Sequence, residues 1–110
     1  LYLENTKITT LPKDLIVAGD LILRDTPITT LPDNLTVNGY LNLYKTPITN
    51  LPKDLIVTKD LNLGYTKITN LPEDLIVGKS LYLNSTPVSR KYSIEELKSM
   101  LPNVKGNIYV

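Results

Sequence analysis

The chain has 110 residues, 42% of them hydrophobic, and its 12 basic and 11 acidic residues leave a net charge of +1. This length fits one domain, and the balanced charge argues against nucleic-acid or anionic-membrane partners, which require a strong positive field. Because cysteine and histidine are absent, disulfides, thiol or imidazole catalysis and the common zinc sites are excluded. No apolar run approaches the ~18 residues of a membrane span, and no signal peptide precedes Leu1.

A unit of 20 residues repeats along the chain without insertion or deletion, beginning at Leu1, Leu21, Leu41 and Leu61 and once more at Leu81. Its consensus is Leu-x-Leu-x-x-Thr-x-Ile-Thr-x-Leu-Pro-x-Asp-Leu-x-Val-x-x-x. A fixed period in this range is typical of a solenoid, in which each repeat is one coil stacked on the next. The sequence therefore predicts a single solenoid domain over residues 1–110, with the 20-residue repeats in residues 1–88.

Each coil is expected to be built from short strands. The Leu-x-Leu and Leu-x-Val steps have the period of two that places both apolar side chains on the inner face of a strand, and no window has the spacing of an amphipathic helix. Proline follows the third conserved leucine and marks a corner. The expected fold class is mainly β: a right-handed parallel β-solenoid whose coils place Leu21 and Leu41 directly on top of one another.

The C-terminal segment, residues 89–110, departs from the period. Ser93 and Glu96 have the spacing of a capping box, which predicts a short helix over about 94–101, ended by Pro102. The following segment, 104–110, matches 77–83 column by column, so a final strand is expected over about 107–110. A helical insertion in the last coil would shield the last apolar layer as a cap. No such cap is visible at Leu1, so that edge either lacks one or meets another element.

The repeat resembles leucine-rich repeats. Leu21-x-Leu23-x-x-Thr26-x-Ile28 follows their Leu-x-Leu-x-x-Asn-x-Leu core, and Thr29-x-Leu31-Pro32 is similar to a stretch of the short bacterial type. The threonine form also resembles repeats encoded by bacteria and their phages, which implies a cytoplasmic or virion-associated protein. Two departures, Thr26 in place of asparagine and the loss of the first leucine of Leu-x-x-Leu-x-Leu, leave open a horseshoe or a flatter β-helix.

The resemblance implies that the outward strand surface binds a partner protein. With the apolar columns fixed, recognition depends on the variable positions of Leu-x-Leu-x-x, where tyrosine and arginine suit interface hot spots. The alternative is that these are solvated strand residues. The candidate partner-binding residues are Tyr2, Glu4, Ile22, Arg24, Asp25, Asn42, Tyr44, Lys45, Asn62, Tyr65, Tyr82 and Asn84.

Two charged columns follow the Leu-Pro corner. The column of Asp14, Asn34, Asp54 and Asp74 offers stacked oxygen atoms, as calcium prefers, but side chains of this type also bond nearby backbone N–H groups at corners, and we expect no metal or cofactor. The column before it alternates in sign and predicts weak charge pairs between coils: Lys13, Asp33, Lys53 and Glu73.

Three functions remain open from the sequence. The first is a non-enzymatic protein-binding module, and the second is an element of a bacterial or phage assembly that stacks through its N-terminal edge. The third is ice or ligand binding through two threonine columns, Thr6, Thr26, Thr46, Thr66, Thr86 and Thr9, Thr29, Thr49, Thr69. Catalysis is not expected, because no phosphate loop, nucleophile elbow or triad is present.

Overall fold

The computed structural model describes all 110 residues, and it is a parallel β-solenoid with about 20 residues per coil. Each coil contributes two strands of two residues. The elements in chain order are β1 Ile16–Val17, β2 Leu21–Ile22, β3 Thr36–Val37, β4 Leu41–Asn42, β5 Ile56–Val57, β6 Leu61–Asn62, β7 Ile76–Val77, β8 Leu81–Tyr82, α1 Pro87–Lys91, α2 Ile94–Met100 and β9 Ile108–Tyr109.

The strands form two parallel sheets that run along the solenoid. Sheet 1 has the order β1-β3-β5-β7, and sheet 2 has the order β2-β4-β6-β8-β9. Leu21 pairs with Leu41, and Leu41 pairs with Leu61, so the predicted stacking of residues 20 positions apart is confirmed. From β1 and β2 to β7 and β8 the chain makes about three full turns. Each coil contributes one strand to each of the two sheets, which is the architecture of a β-helix.

The core is one column of aliphatic layers between the two sheets. It contains 24 buried residues, almost all from the repeated leucine, isoleucine and valine columns. Layers in the middle of the stack are sealed on both sides, and Leu41, Leu43 and Ile48 have no exposed surface. The first coil is covered by a neighbouring coil on one side only, and Leu1 therefore remains 52% exposed.

The first threonine column belongs to this interior. Thr26, Thr46 and Thr66 are buried, and each hydroxyl donates a hydrogen bond to the carbonyl of the leucine three residues earlier, at 2.7, 2.8 and 2.7 Å respectively. A buried hydroxyl needs such a partner. The threonine hydroxyl in turn gives the leucine carbonyl a hydrogen bond within the bend, at the position where the leucine-rich repeat pattern has asparagine. These buried threonines are therefore unavailable to an external ligand, whereas Thr6 of the first coil and Thr29 and Thr49 of the second column lie on the surface.

The C-terminal cap contains the predicted helix and final strand. Helix α2 begins after the Ser93 cap, with the predicted reciprocal bonds to Glu96, and Ile108 pairs with Leu81. Helix α1 was not predicted from the sequence; its N-cap is Thr86 and its first residue is Pro87. Proline fits the first position of a helix, but the same Thr-Pro step starts no helix in the regular coils, where Ile-Thr-x-Leu-Pro follows it.

The predicted charge pairs between coils are absent. Lys13, Asp33, Lys53 and Glu73 are exposed at the corner, and the single ion pair of the structure joins Arg24 to Asp25 at 3.4 Å. Exposed pairs of long side chains gain too little to offset the entropy of holding them together. No group of carboxylates suited to a metal ion occurs, and neither helix has the length and apolar character needed to span a bilayer.

Candidate binding face

The candidate residues lie along sheet 2 and the turn that follows it. We call this surface the variable face: the outward positions of sheet 2 and the two turn residues after each Leu-x-Leu. Asn42, Asn62 and Tyr82 lie within strands, whereas Arg24 and Tyr44 belong to the turn. The strands are shorter than expected because the chain turns directly after the second leucine.

The turn places one residue per coil in the left-handed region of the backbone. Its φ is 57° at Lys45 and 56° at Tyr65, and the equivalent residues Asn5, Asp25 and Ser85 have similar values. Short polar side chains tolerate this conformation, but it is uncommon for large ones. Lys45 and Tyr65 therefore occupy positions for which backbone preference alone would favour asparagine or glycine.

Four side chains form what we call the cation–tyrosine cluster: Arg24, Tyr44, Lys45 and Tyr65. The Tyr44 and Tyr65 rings meet edge to face with centroids 5.2 Å apart. The Arg24 guanidinium lies 5.3 Å from the centroid of Tyr44, and the Lys45 ammonium lies 5.6 Å from Tyr44 and 6.0 Å from Tyr65. These distances allow cation–π attraction. The cluster joins residues of three coils.

Gly64 makes room for this cluster. A Cβ atom at this position would lie 2.9 Å from Asn84 Oδ1 and 3.0 Å from a ring carbon of Tyr44. The missing side chain therefore lets the Tyr44 ring lie beside the next coil. The sequence shows Gly64 as a variable position, but its role depends on the neighbours that stacking gives it.

A shallow trough lies beside the cluster on the same face. It has a volume of about 220 Å³ and is lined by Ile22, Tyr40, Leu41, Asn42, Asp60, Asn62 and Tyr82. Ile22, Asn42, Asn62 and Tyr82 were among the candidate residues, whereas Tyr40 and Asp60 were missed. The missed residues precede the first leucine of their repeats, in the seam, by which we mean the short segment that joins a strand of sheet 1 to the following strand of sheet 2. Their signal was that this column varies between coils.

Comparison with models of protein families, with curated proteins and with solved structures finds no match to this chain.

Tyrosine is concentrated on the variable face. Of the seven tyrosines in the chain, five lie on this face, Tyr40 lies directly before β4 beside it, and Tyr92 lies elsewhere, at the C-cap of α1. Tyr109 of β9 stacks on Tyr82 with ring centroids 4.8 Å apart. Tyr109 was not among the predicted binding residues, although the match of residues 104–110 to 77–83 places it in the column of Tyr82. Burial, with the Asp60 carboxylate and the nearby Tyr109 and Tyr40 rings, raises the pKa of Tyr82 above its usual value.

The other candidate residues lie at the margins of these two sites. Tyr2 pairs with Ile22 through an isolated bridge, but its side chain is 68% exposed. Glu4 is exposed in the turn of the first coil, and Asp25 pairs with Arg24. Asn84 lies beside Gly64, with its Oδ1 2.9 Å from where a Cβ atom of residue 64 would be. The structure thus brings together eight of the twelve candidates, four in the cluster and four in the trough.

Proposed function

We propose that the chain is a non-enzymatic protein-binding module of the leucine-rich-repeat type, encoded by a bacterium or a phage, whose interface is centred on the cation–tyrosine cluster. The observation that carries the proposal is the meeting of two tyrosines, an arginine and a lysine from three coils on one rigid face. Tyrosine and arginine dominate the binding energy of protein interfaces. The stacked coils hold them in place, which reduces the entropy lost on binding.

Backbone conformation supports the same proposal. Lys45 and Tyr65 retain large side chains at positive φ, a conformation that costs roughly 1–2 kcal/mol for a residue other than glycine. Residues held in such conformations tend to cluster at functional sites. The two large side chains at these strained positions are also the two that complete the cluster, as expected if binding selects them.

A double variant tests this function. We expect Arg24→Ala with Tyr44→Ala to lower capture of the partner at least about tenfold, because it removes both the guanidinium and the central ring of the cluster. The variant should melt within about 5 °C of the parent, since both residues lie outside the core. The measurement is affinity capture from the native host, followed by mass spectrometry and a direct binding assay with the captured protein.

The matched control is Lys13→Ala with Ile16→Ala. Both residues are exposed and lie away from the variable face, at the corner and in sheet 1, so capture should equal that of the parent. If the cluster variant retains full capture, the partner binds elsewhere and the proposal is wrong.

The first coil favours a second candidate function, stacking in an assembly. Leu1 is 52% exposed and Leu3 half-buried, whereas the equivalent Leu21 and Leu23 are fully buried. At the other end α2 packs against β9, so an open chain of coils cannot grow by head-to-tail contacts. We propose that any self-association joins two first coils head to head and stops at a dimer.

Light scattering during size-exclusion chromatography tests this second function. We expect a dimer whose fraction rises with concentration, because its contact area is one coil face. Leu1→Lys should leave a monomer, since it places a charge in the contact. A monomer at every concentration would contradict the assembly function and leave the binding function unaffected.

A further inference from the structure

The trough combines an aromatic platform with unpaired hydrogen-bonding groups, and we infer that it binds a neutral pyranose ring of a carbohydrate. The juxtaposition that carries this inference is the free face of Tyr82 next to the side-chain amides of Asn42 and Asn62 and the carboxylate of Asp60. The inference goes beyond the proposed protein-binding function and does not depend on it, because none of these four residues belongs to the cation–tyrosine cluster.

The two asparagines present their amide nitrogen atoms to the ligand. Asn42 Oδ1 accepts a hydrogen bond from the Tyr44 backbone N–H at 3.0 Å, and Asn62 Oδ1 accepts one from the Gly64 N–H at 2.9 Å. Because a backbone N–H can only donate, the atom that it contacts must be the amide oxygen. The amide nitrogen is therefore the free end of each side chain. Each NH₂ group has no protein partner. The floor of the trough is therefore a pair of oriented donors from neighbouring coils.

Asp60 supplies the complementary acceptor. Its Oδ1 accepts a hydrogen bond of 2.8 Å from the Ser80 backbone N–H, which fixes the carboxylate at the seam between the two sheets. The second carboxylate oxygen accepts no hydrogen bond within the protein, and Asp60 is one of the residues that line the trough. A sugar hydroxyl both donates and accepts, so adjacent hydroxyls of one ring can accept from an asparagine amide and donate to Asp60.

Tyr82 supplies the platform. Tyr109 covers one face of its ring, at a centroid distance of 4.8 Å and an interplanar angle of 15°. Tyr82 also lines the trough, and we infer that a ligand there meets the opposite face of the ring. One face of a pyranose ring presents C–H groups, which pack against an aromatic ring, while its hydroxyls project around the edge. Because stacking on Tyr109 already restrains the Tyr82 ring, Tyr82 needs little ordering when the ligand binds.

Size and charge select the ligand class. A volume of about 220 Å³ lies below the ~300–1,000 Å³ of sites for drug-sized ligands, so it suits one ring. No lysine or arginine lines the trough, and its one charged residue is Asp60, which disfavours phosphate and carboxylate ligands. The oriented amide donors disfavour a quaternary ammonium ion, which offers no acceptor and requires an aromatic cage.

The test uses ¹⁵N-labelled full-length protein and nuclear magnetic resonance. Methyl β-D-glucopyranoside, methyl α-D-mannopyranoside and methyl β-D-galactopyranoside are titrated separately while the side-chain NH₂ signals of Asn42 and Asn62 are followed. At least one glycoside should shift both signals and saturate, with a dissociation constant of the order of a millimolar, as expected for a single exposed ring. Asn62→Asp keeps the acceptor for Gly64 and removes the donor, and it should weaken binding about tenfold.

Tyr82→Ala should weaken binding by a similar factor, and Tyr65→Ala is its matched control, a tyrosine of the same face outside the trough. The Arg24→Ala, Tyr44→Ala variant should bind the glycoside as the parent does, which separates this test from that of the protein-binding function. The inference is overturned if none of the three glycosides gives saturable shifts, or if Asn62→Asp binds as tightly as the parent. Stronger shifts of the same signals with tetramethylammonium chloride would also overturn it.

Discussion

The Leu61→Ala variant is expected to lose about 3–5 kcal/mol of unfolding free energy, the upper range for a leucine truncated in a rigid core. Leu61 has no exposed surface, and its strand pairs with Leu41 on one side and Leu81 on the other. The stacked neighbours cannot collapse into the cavity without breaking the ladders of both sheets. Since a domain of this kind is stable by about 5–15 kcal/mol, the loss takes a large share of the total.

Chemical denaturation followed by circular dichroism measures this loss, and Leu1→Ala is the control. Leu1 occupies the same column of the repeat but is 52% exposed, so its truncation should cost about 1 kcal/mol or less. Because each coil contacts only its neighbours, the damage at Leu61 should also separate the stack into two parts and lower the cooperativity of unfolding. Equal losses at the two positions would contradict the layered core.

The Gly78→Ala variant is expected to lose about 2–3 kcal/mol or more. A Cβ atom there would lie 2.7 Å from the carbonyl carbon of Thr58 and closer still to its oxygen. The obstacle is backbone, not the movable end of a side chain. Gly78 cannot move away easily because its N–H donates a 2.8 Å hydrogen bond to the Val57 carbonyl. Substitution therefore forces either a strained approach between coils or the loss of that bond.

Gly19→Ala is the matched control, from the equivalent turn of the first coil. No atom lies within 4 Å of a Cβ at Gly19, and no glycine of the chain has a positive φ. Alanine should therefore stabilise the protein by about 0.4–1 kcal/mol, because it restricts the unfolded chain. The midpoints of thermal and denaturant unfolding should move in opposite directions for the two variants. A harmless Gly78→Ala would mean that the coils are spaced more widely than the structure shows.

The repeated part of this protein was predictable from the sequence, because identical columns have to serve the same purpose in every coil. The spacing of two within Leu-x-Leu and Leu-x-Val determined which side chains face inward, and the period of 20 determined that Leu21 lies against Leu41. The C-terminal cap was predictable for a different reason. Ser93 and Glu96 form a local signal, and β9 repeats the columns of β8.

Only the tertiary structure decided which variable residues meet. Tyr40, Asp60 and Tyr82 come from three different coils, and Tyr82 also comes from a different column than the other two. Their juxtaposition in the trough depends on the turn geometry and on the small side chains of Asn42 and Asn62 between them. Gly64 matters because of what lies beside it in the neighbouring coils. The sequence also left open whether the first threonine column lies on the surface or in the core. The bend decides this, because it places each hydroxyl next to a leucine carbonyl in the interior. The buried positions repeat every 20 residues, as the sequence does, and they can therefore be predicted from it. The contacts within the cluster and the trough join positions that do not repeat, and these contacts exist only once the coils are stacked.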